Sequence, residues 1–315
     1  MNIGILGTGF GAYHASILAK SEMAGRIVIF GRNEAKLLKL KEESGVEIST
    51  SIDDVIRDPG LDIIDICLPS HLHKQYTLKA LEAGKHVFCE TPVCLSAEDA
   101  RALKRAETHY AKRVLVNQFI KFDPAYRYLY EAVQQEKYGR LLKLSLARET
   151  PPLWGNLGLD QIATSLMIHE LDFVTWLLKD AAPTSVWGTR GPQDGQSLVQ
   201  ATFNTPQVNV QVTAASLMPS AYPFTVSYEA YFEHAKLEYY EKEDMHGGTD
   251  TALYEYSPSG RQELNLDKTN AYEQSLQHAL QCFKNSTESV LSLNQALHAV
   301  ITSFELRKRL TDLLH

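Results

Sequence analysis

Cysteine is scarce in this chain. Cys67, Cys89, Cys94 and Cys282 are the whole complement, and no two of them stand in a C-x-x-C spacing. A disulfide scaffold and a zinc framework are therefore not expected; the four read as reduced core or site thiols. Basic charge is also short. Lys and Arg total 31 against 38 Asp and Glu, a net charge of -7, with no basic run. That balance argues against nucleic acid or a membrane surface as partner. No apolar run is long enough to cross a bilayer. No signal-peptide pattern is present, because MNIGILG goes straight into a strand. A cytoplasmic protein is expected. No His, Asp and Glu cluster shows ligand spacing, so no metal is assigned. Repeats and low-complexity linkers are absent too. What remains is an ordinary globular composition over 315 residues, 44% hydrophobic and 22% charged, enough for two domains.

The first part alternates short β-branched runs with helical patterns. Strands are expected at Asn2-Leu6, Arg26-Phe30, Val46-Ser49, Ile63-Cys67, His86-Cys89 and Arg113-Val116. Helices are expected at Phe10-Lys20, Asn33-Glu43, Ile52-Arg57, His73-Ala83 and Ser96-Tyr110. Asn33 and Ser96 are good N-caps, and Gly84 is a good residue to follow a helix end. This alternation predicts a doubly wound parallel sheet, an α/β Rossmann domain over residues 1–120. The pattern then changes. Asp123-Gln135 reads as a helix entered through Pro124, Leu141-Arg148 as a strand, and Leu159-Leu178 as one long helix. From Thr184 to Tyr256 the text is strand and turn, with strands at Ser185-Thr189, Ser197-Phe203, Val208-Ala215, Phe224-Glu229, Ala235-Tyr240 and Ala252-Tyr256. Helices near Asn270-Lys284 and Ser292-Leu314 close the chain. Residues 121–315 are thus expected as a second α/β domain with a large, mostly antiparallel open sheet, for substrate binding and oligomerisation.

ILGTGFGA, Ile5 to Ala12, is a G-x-G-x-x-A fingerprint between the first strand and the first helix. Gly7 permits the tight turn, Gly9 lets a pyrophosphate approach the backbone, and Ala12 keeps helix and strand close. The helix N-terminus then favours phosphate. An acid after the second strand would accept from an adenosine ribose hydroxyl. Here the text is Phe30-Gly31-Arg32-Asn33. A guanidinium at Arg32, beside Asn33, suits a 2′-phosphate, so NADP(H) is favoured over NAD(H).

Further motifs follow: CLPSHLH from Cys67 to His73, ALEAGKHV from Ala80 to Val87, and Glu90-Thr91-Pro92. With the glycine turn, these resemble the glucose–fructose oxidoreductase / inositol 2-dehydrogenase / MocA family (Gfo/Idh/MocA). The resemblance runs over the whole chain and is strongest over residues 1 to 125. It implies a Rossmann domain, a C-terminal sheet domain that forms a homodimer or homotetramer, and hydride transfer between a nicotinamide and a sugar, polyol or similar small substrate. It implies cofactor contacts at Gly7, Thr8, Gly9, Phe10, Ala12, Leu68, Pro69, His71, His73, Glu90 and Gln118. Lys121, in the segment entering the second domain, stands where the family usually has arginine. Two departures matter. The family's E-K-P lysine is Thr91 here. Its D-x-G-x-H-x-x-D helix motif reads Ser165-Leu166-Met167-Ile168-His169-Glu170-Leu171-Asp172.

A carbinol that exchanges hydride needs a partner for its hydroxyl proton, and histidine titrates in the right range. On one helix, Ser165, His169 and Asp172 would share a face. His169 is therefore the catalytic candidate. Ser165, Asp172, Thr91, Lys121 and Trp154 are substrate-binding candidates. Thr91 can exchange hydrogen bonds with a hydroxyl but cannot replace a lysine as acid or base. His14, just after the fingerprint, reads as a helix-face residue packing near the cofactor. Two other functions stay open: a non-catalytic, cofactor-sensing regulator, and a glycosidase-like enzyme that uses the bound cofactor redox-neutrally.

Overall fold

The computed structural model describes residues 1–312 other than Trp154, Asp180 and Met245. The chain forms two compact units. One holds Met1–Phe122 and Asn270–Leu297; the other holds Asp123–Thr269 and the chain from His298 onward.

The first unit is built on six parallel strands: β1 Ile3–Leu6, β2 Ile27–Phe30, β3 Glu47–Ser49, β4 Ile63–Ile66, β5 His86–Cys89 and β6 Val114–Val116. Their order is β3-β2-β1-β4-β5-β6, the doubly wound arrangement, whose crossovers reverse direction between β1 and β4. Sheets of this kind are covered on both faces, so their inner strands are apolar throughout. IGIL of β1 and IVIF of β2 are buried at every position. β4 reads IIDI and is equally buried, so Asp65 is a carboxylate inside a core strand. The helices are α1 Phe10–Leu18, α2 Glu34–Ser44, α3 Ile52–Arg57, α4 His73–Glu82 and α5 Ala97–Tyr110. Asn33, Ser51 and Ser96 cap α2, α3 and α5 by accepting from the Lys36, Asp54 and Asp99 amides, which satisfies donors the helix start leaves open.

The second unit begins with α6 Pro124–Gln134, capped by Asp123, which accepts from the Ala125 and Tyr126 amides. Burial pushes the Asp123 carboxyl up to about 6. β7 Leu141–Glu149, α7 Ile162–Ser165 and α8 Ile168–Leu177 follow. Then come β8 Pro183–Arg190, β9 Ser197–Asn204, β10 Asn209–Ala215, β11 Phe224–Phe232, β12 Lys236–Glu243, β13 Thr249–Ser257 and β14 Gly260–Leu264. The sheet order is β14-β13-β12-β11-β7-β10-β9-β8. Only the β7–β10 pair is parallel; the other neighbours are antiparallel. Burial alternates along β9 and β10, so one face carries the core. On that core Tyr126 of α6 meets Phe173 of α8 edge-on at 4.9 Å, and the Tyr228 hydroxyl of β11 donates to the Ala125 carbonyl at 2.9 Å. Among the described residues no helix is long and apolar enough to cross a membrane.

Three expectations need correction. The long helix over Leu159-Leu178 is two helices. Leu166 and Met167 fall between α7 and α8, and there the Met167 amide reaches back five residues to the Ile162 carbonyl instead of four, which breaks the α-helical ladder. The strand β14 was not expected, because GRQEL is almost wholly exposed and carries no apolar pattern. The third concerns α9 Ala271–Asn285, which follows the second sheet in sequence and was placed in residues 121–315. It returns to the first unit. Leu276, Ala279, Leu280 and Phe283 share a core with Ile3, Ile5, Ile29 and Ile63. The last helix, α10 Leu293–Asp312, has residues in both units.

The returning helix should therefore stabilise the first sheet. Leu276→Ala is expected to cost about 2–5 kcal/mol, as for other deeply buried leucines, in denaturant unfolding of the full chain. Gln281→Ala, on the exposed side of α9, should change stability by less than about 0.5 kcal/mol.

Candidate active site

Ligands of doubly wound sheets bind beyond the carboxyl ends of the strands, where the crossovers reverse. Here that point lies at the ends of β1 and β4. Gly7 turns there with φ +111°, and a Cβ on it would fall 2.5 Å from the Cys67 carbonyl oxygen. Only glycine fits this place, on conformational and on packing grounds. Gly9 is different. A Cβ on it would meet nothing within 4 Å, so no protein atom needs that space. The Gly9 turn opens α1 with no side-chain cap. Its first amides are left to face an anion, with the positive end of the helix dipole behind them. Ala12 donates its amide to the Gly9 carbonyl at 3.1 Å. Phe10 is exposed and stacks toward Tyr272 of α9, with ring centroids 6.1 Å apart. Thr8 packs its methyl where a Cβ of Gly31 would stand, which brings the two turns together. Arg32 follows β2 and is exposed. Asn33 is occupied in capping α2.

Beyond β4, Pro69 and His71 are exposed and Leu68 is half-buried. His73 is turned inward instead. Its Nδ1 lies 2.8 Å from the Pro92 carbonyl and its Nε2 2.6 Å from the Leu68 carbonyl. It ties the Leu68 loop to the Glu90-Thr91-Pro92 turn, a supporting position rather than the cofactor-facing one implied by the resemblance. Among the described residues, Thr91 Oγ1 and both amide atoms of Gln118 are buried and reach no hydrogen-bond partner. Buried polar groups are nearly always satisfied. Three unsatisfied atoms at the carboxyl end of one sheet suit a polar ligand. With the open space at Gly9 and the uncapped start of α1, the residues fit a dinucleotide. Lys121, expected at the substrate, is buried and donates to the Val290 carbonyl at 3.1 Å, which makes it an anchor of the Phe119–Phe122 turn.

The feature that sequence reading misses is His14. It lies on the inner face of α1 and is fully buried. Its Nδ1 lies 2.8 Å from Asp65 Oδ2 and its Nε2 3.0 Å from Glu90 Oε1. Burial works against charge on the imidazole. The Cys67 and Asp65 fields, and the hydrogen bonds to both, outweigh it and hold the His14 pKa well above its usual value. Burial pushes the Cys67 thiol up, so the carboxylate is the partner we credit. Glu90 Oε1 also accepts from Asn117 Nδ2 at 2.6 Å, and Asn117 Oδ1 accepts from the Ser275 hydroxyl of α9. The donor atoms of His14, Asp65 and Cys67 lie within 4.8 Å of one another, a cluster that sequence spacing could not show. A direct hydrogen bond at 2.8 Å joins His14 and Asp65 within it.

In the second unit the helix break separates Ser165 from His169 and Asp172, which both lie on α8, three residues apart. Ser165 ends α7 and is exposed. His169 follows the start of α8 and is partly open to solvent. Asp172 is fully buried. Despite its opening, the His169 imidazole is packed closely enough that burial, with the Arg148 charge second, pushes its pKa well below 6.5. Arg148 of β7 is paired with Glu170 of α8 through contacts of 2.8 and 3.0 Å, both side chains being almost wholly buried. Trp154 lies outside the described residues.

Residues 1–118 match the family described as "Oxidoreductase family, NAD-binding Rossmann fold" (GFO_IDH_MocA). Inositol 2-dehydrogenase of Paracoccus denitrificans (strain Pd 1222) is 31% identical over 185 residues, 57% of this chain and 55% of that protein. The inositol 2-dehydrogenase of Klebsiella pneumoniae (strain 342) is 34% identical over 139 residues, 43% and 41% of the two chains. The matching stretch thus spans about half the length of these relatives. Among solved structures, KijD10, a 3-ketoreductase from Actinomadura kijaniata in complex with NADP, superimposes with a TM-score of 0.82 at 16% identity, covering 98% of this chain and 97% of that one. UDP-N-acetylglucosamine 3-dehydrogenase GnnA from Acidithiobacillus ferrooxidans gives 0.79 at 19% identity, with 98% and 97% covered. These structures share the fold across both units.

The Arg148–Glu170 pair supports a stability test. Arg148→Met strands the Glu170 charge in the core and is expected to cost about 3–5 kcal/mol, read by chemical denaturation. Arg148→Met with Glu170→Leu should recover most of that loss, because both charges then leave together.

Proposed function

We propose that this chain, whose residues 1–118 match the Gfo/Idh/MocA oxidoreductase family, is a nicotinamide-dependent oxidoreductase acting on CH–OH groups. Its substrate is a sugar, a polyol or a similar small hydroxy or keto compound. The observation that carries this reading is the glycine turn at the sheet's reversal point. There the space at Gly9 and the uncapped amides of α1 are left for a ligand, with the unsatisfied Thr91 and Gln118 atoms at the same sheet edge. Gly7, Thr8, Gly9, Phe10 and Ala12 hold the pyrophosphate. Leu68, Pro69, His71, Glu90 and Gln118 border the rest of the cofactor. NADP(H) is favoured because Arg32 is exposed and free to pair with a 2′-phosphate.

The cofactor supplies the hydride acceptor or donor. The chain must bind the substrate, exclude water and take up the hydroxyl proton. His169 is the proposed proton partner. Its depressed pKa keeps the imidazole neutral, which suits accepting a proton as an alcohol is oxidised. Thr91 Oγ1 and the exposed Ser165 hydroxyl are proposed to bind substrate hydroxyls; Thr91 contributes no acid or base. We also propose a homodimer or homotetramer through the outer face of the eight-stranded sheet. Trp187, whose neighbour Gly188 packs inward on Leu310, is 54% exposed there.

Turnover is measured with a panel of polyols and keto-sugars by reduced-nicotinamide absorbance. His169→Ala should lower kcat by about 10²–10⁴ and leave cofactor affinity intact; unchanged kcat removes His169 from the chemistry. A base must be neutral to act, so alcohol oxidation should fall only below its depressed pKa, and the acid limb should lie under pH 6.5. Arg32→Ala should weaken NADPH by about tenfold or more with NADH unaffected in fluorescence titration. Equal loss for both cofactors refutes the 2′-phosphate role.

A further inference from the structure

Asp65 sits on a strand buried at every position, where an isolated carboxylate is costly. The buried imidazole of His14 answers that charge, and it does so between two acids rather than beside one. A neutral imidazole carries a single N–H. With the proton on Nδ1, the Nε2 lone pair would face Glu90 Oε1 at 3.0 Å. With the proton on Nε2, the Nδ1 lone pair would face Asp65 Oδ2 at 2.8 Å. Both contacts are attractive together when both nitrogens carry protons. Glu90 Oε1 already accepts from Asn117 Nδ2, whose other end is held by Ser275, so this oxygen is set as an acceptor. The remaining faces of His14 bring Cys67 of β4, the Phe88 ring of β5 at 6.1 Å and the Tyr272 ring of α9 at 6.4 Å. Among these groups only Asp65 and Glu90 offer a charge to balance it.

We propose that His14 is a positioning residue: a buried imidazolium clamped between Asp65 and Glu90, which fixes Glu90 as an ionised, aligned carboxylate beside Thr91. The positive charge that residue 91 lacks is thus placed beneath the turn, out of reach of substrate. Asn117 Nδ2 donates to Oε1, and His14 Nε2 faces the same oxygen as an ion-pair contact at 3.0 Å without hydrogen-bond geometry, which leaves Oε2 as the oxygen presented to a ligand hydroxyl. The Glu90 side chain is 12% exposed, enough to receive one. The charge state stands on geometry alone; its consequence for cofactor binding rests on the proposed function.

The two parts are tested separately. The full chain labelled with 15N-histidine is titrated by NMR, and the His14 signal is assigned by its loss in His14→Gln or its shift in Glu90→Gln. Both His14 nitrogens should show imidazolium shifts at pH 8. Glu90→Gln should lower the midpoint of His14, because one of its two acids is gone. A single N–H with a bare second nitrogen at pH 7, or a midpoint unmoved in Glu90→Gln, overturns the proposal. Should His14→Gln not fold, the wild-type and Glu90→Gln spectra still decide. For the consequence, NADPH affinity at pH 7 is compared among the wild type, His14→Gln, Glu90→Gln and the double variant. Each single variant should bind about tenfold more weakly, and the double variant no more weakly than Glu90→Gln alone, because His14 acts through Glu90. Losses that add in the double variant overturn the positioning role. A wild type that binds no nicotinamide cofactor refutes the proposed function and leaves the NMR result standing.

Discussion

The first unit hangs on one close approach. Gly7 passes the end of β4 so tightly that a single added carbon would stand 2.5 Å from the Cys67 carbonyl. This contact sets the turn out of β1 and therefore the direction of α1. It lays the inner face of α1 over β4, so His14 comes to rest on Asp65. The Glu90 turn closes the other side of the same imidazole. A glycine turn read from sequence as a phosphate loop is thus also the hinge on which a buried charge cluster is assembled.

The two units treat charge differently. In the first, an imidazole lies between two carboxylates and is held protonated. In the second, an imidazole lies near a guanidinium and is held neutral. The contrast follows from the partners. Burial disfavours charge at both histidines; at His14 its partners outweigh burial, and at His169 burial dominates with the Arg148 charge adding to it. Arg148 in turn is held by Glu170, the residue after His169.

Local pattern carried far. The strand–turn–helix of Ile3 to Leu18 was legible because its determinants are adjacent residues. So were the caps at Asn33 and Ser96, each of which satisfies an amide three residues on. The break between Ser165 and Ile168 was not legible. The segment carries no proline or glycine at that point, and the break shows only in the Met167 amide reaching the Ile162 carbonyl. With that helix Ser165 left the expected common face, while His169 and Asp172 stayed three apart on α8.

The sequence by itself determined the doubly wound domain, the mostly antiparallel second sheet, the glycine turn and the family resemblance of the first domain, because these rest on period, composition and short motifs within a few residues. Only the tertiary structure decided that α9 returns to the first sheet, that His73 and Lys121 face inward, and that His14, Asp65 and Glu90 meet. Asp65 is 51 residues from His14, and Val290 is 169 from Lys121. A pairing across such distances is set by which strands neighbour in the sheet and which face each helix buries, and no local window of sequence contains either.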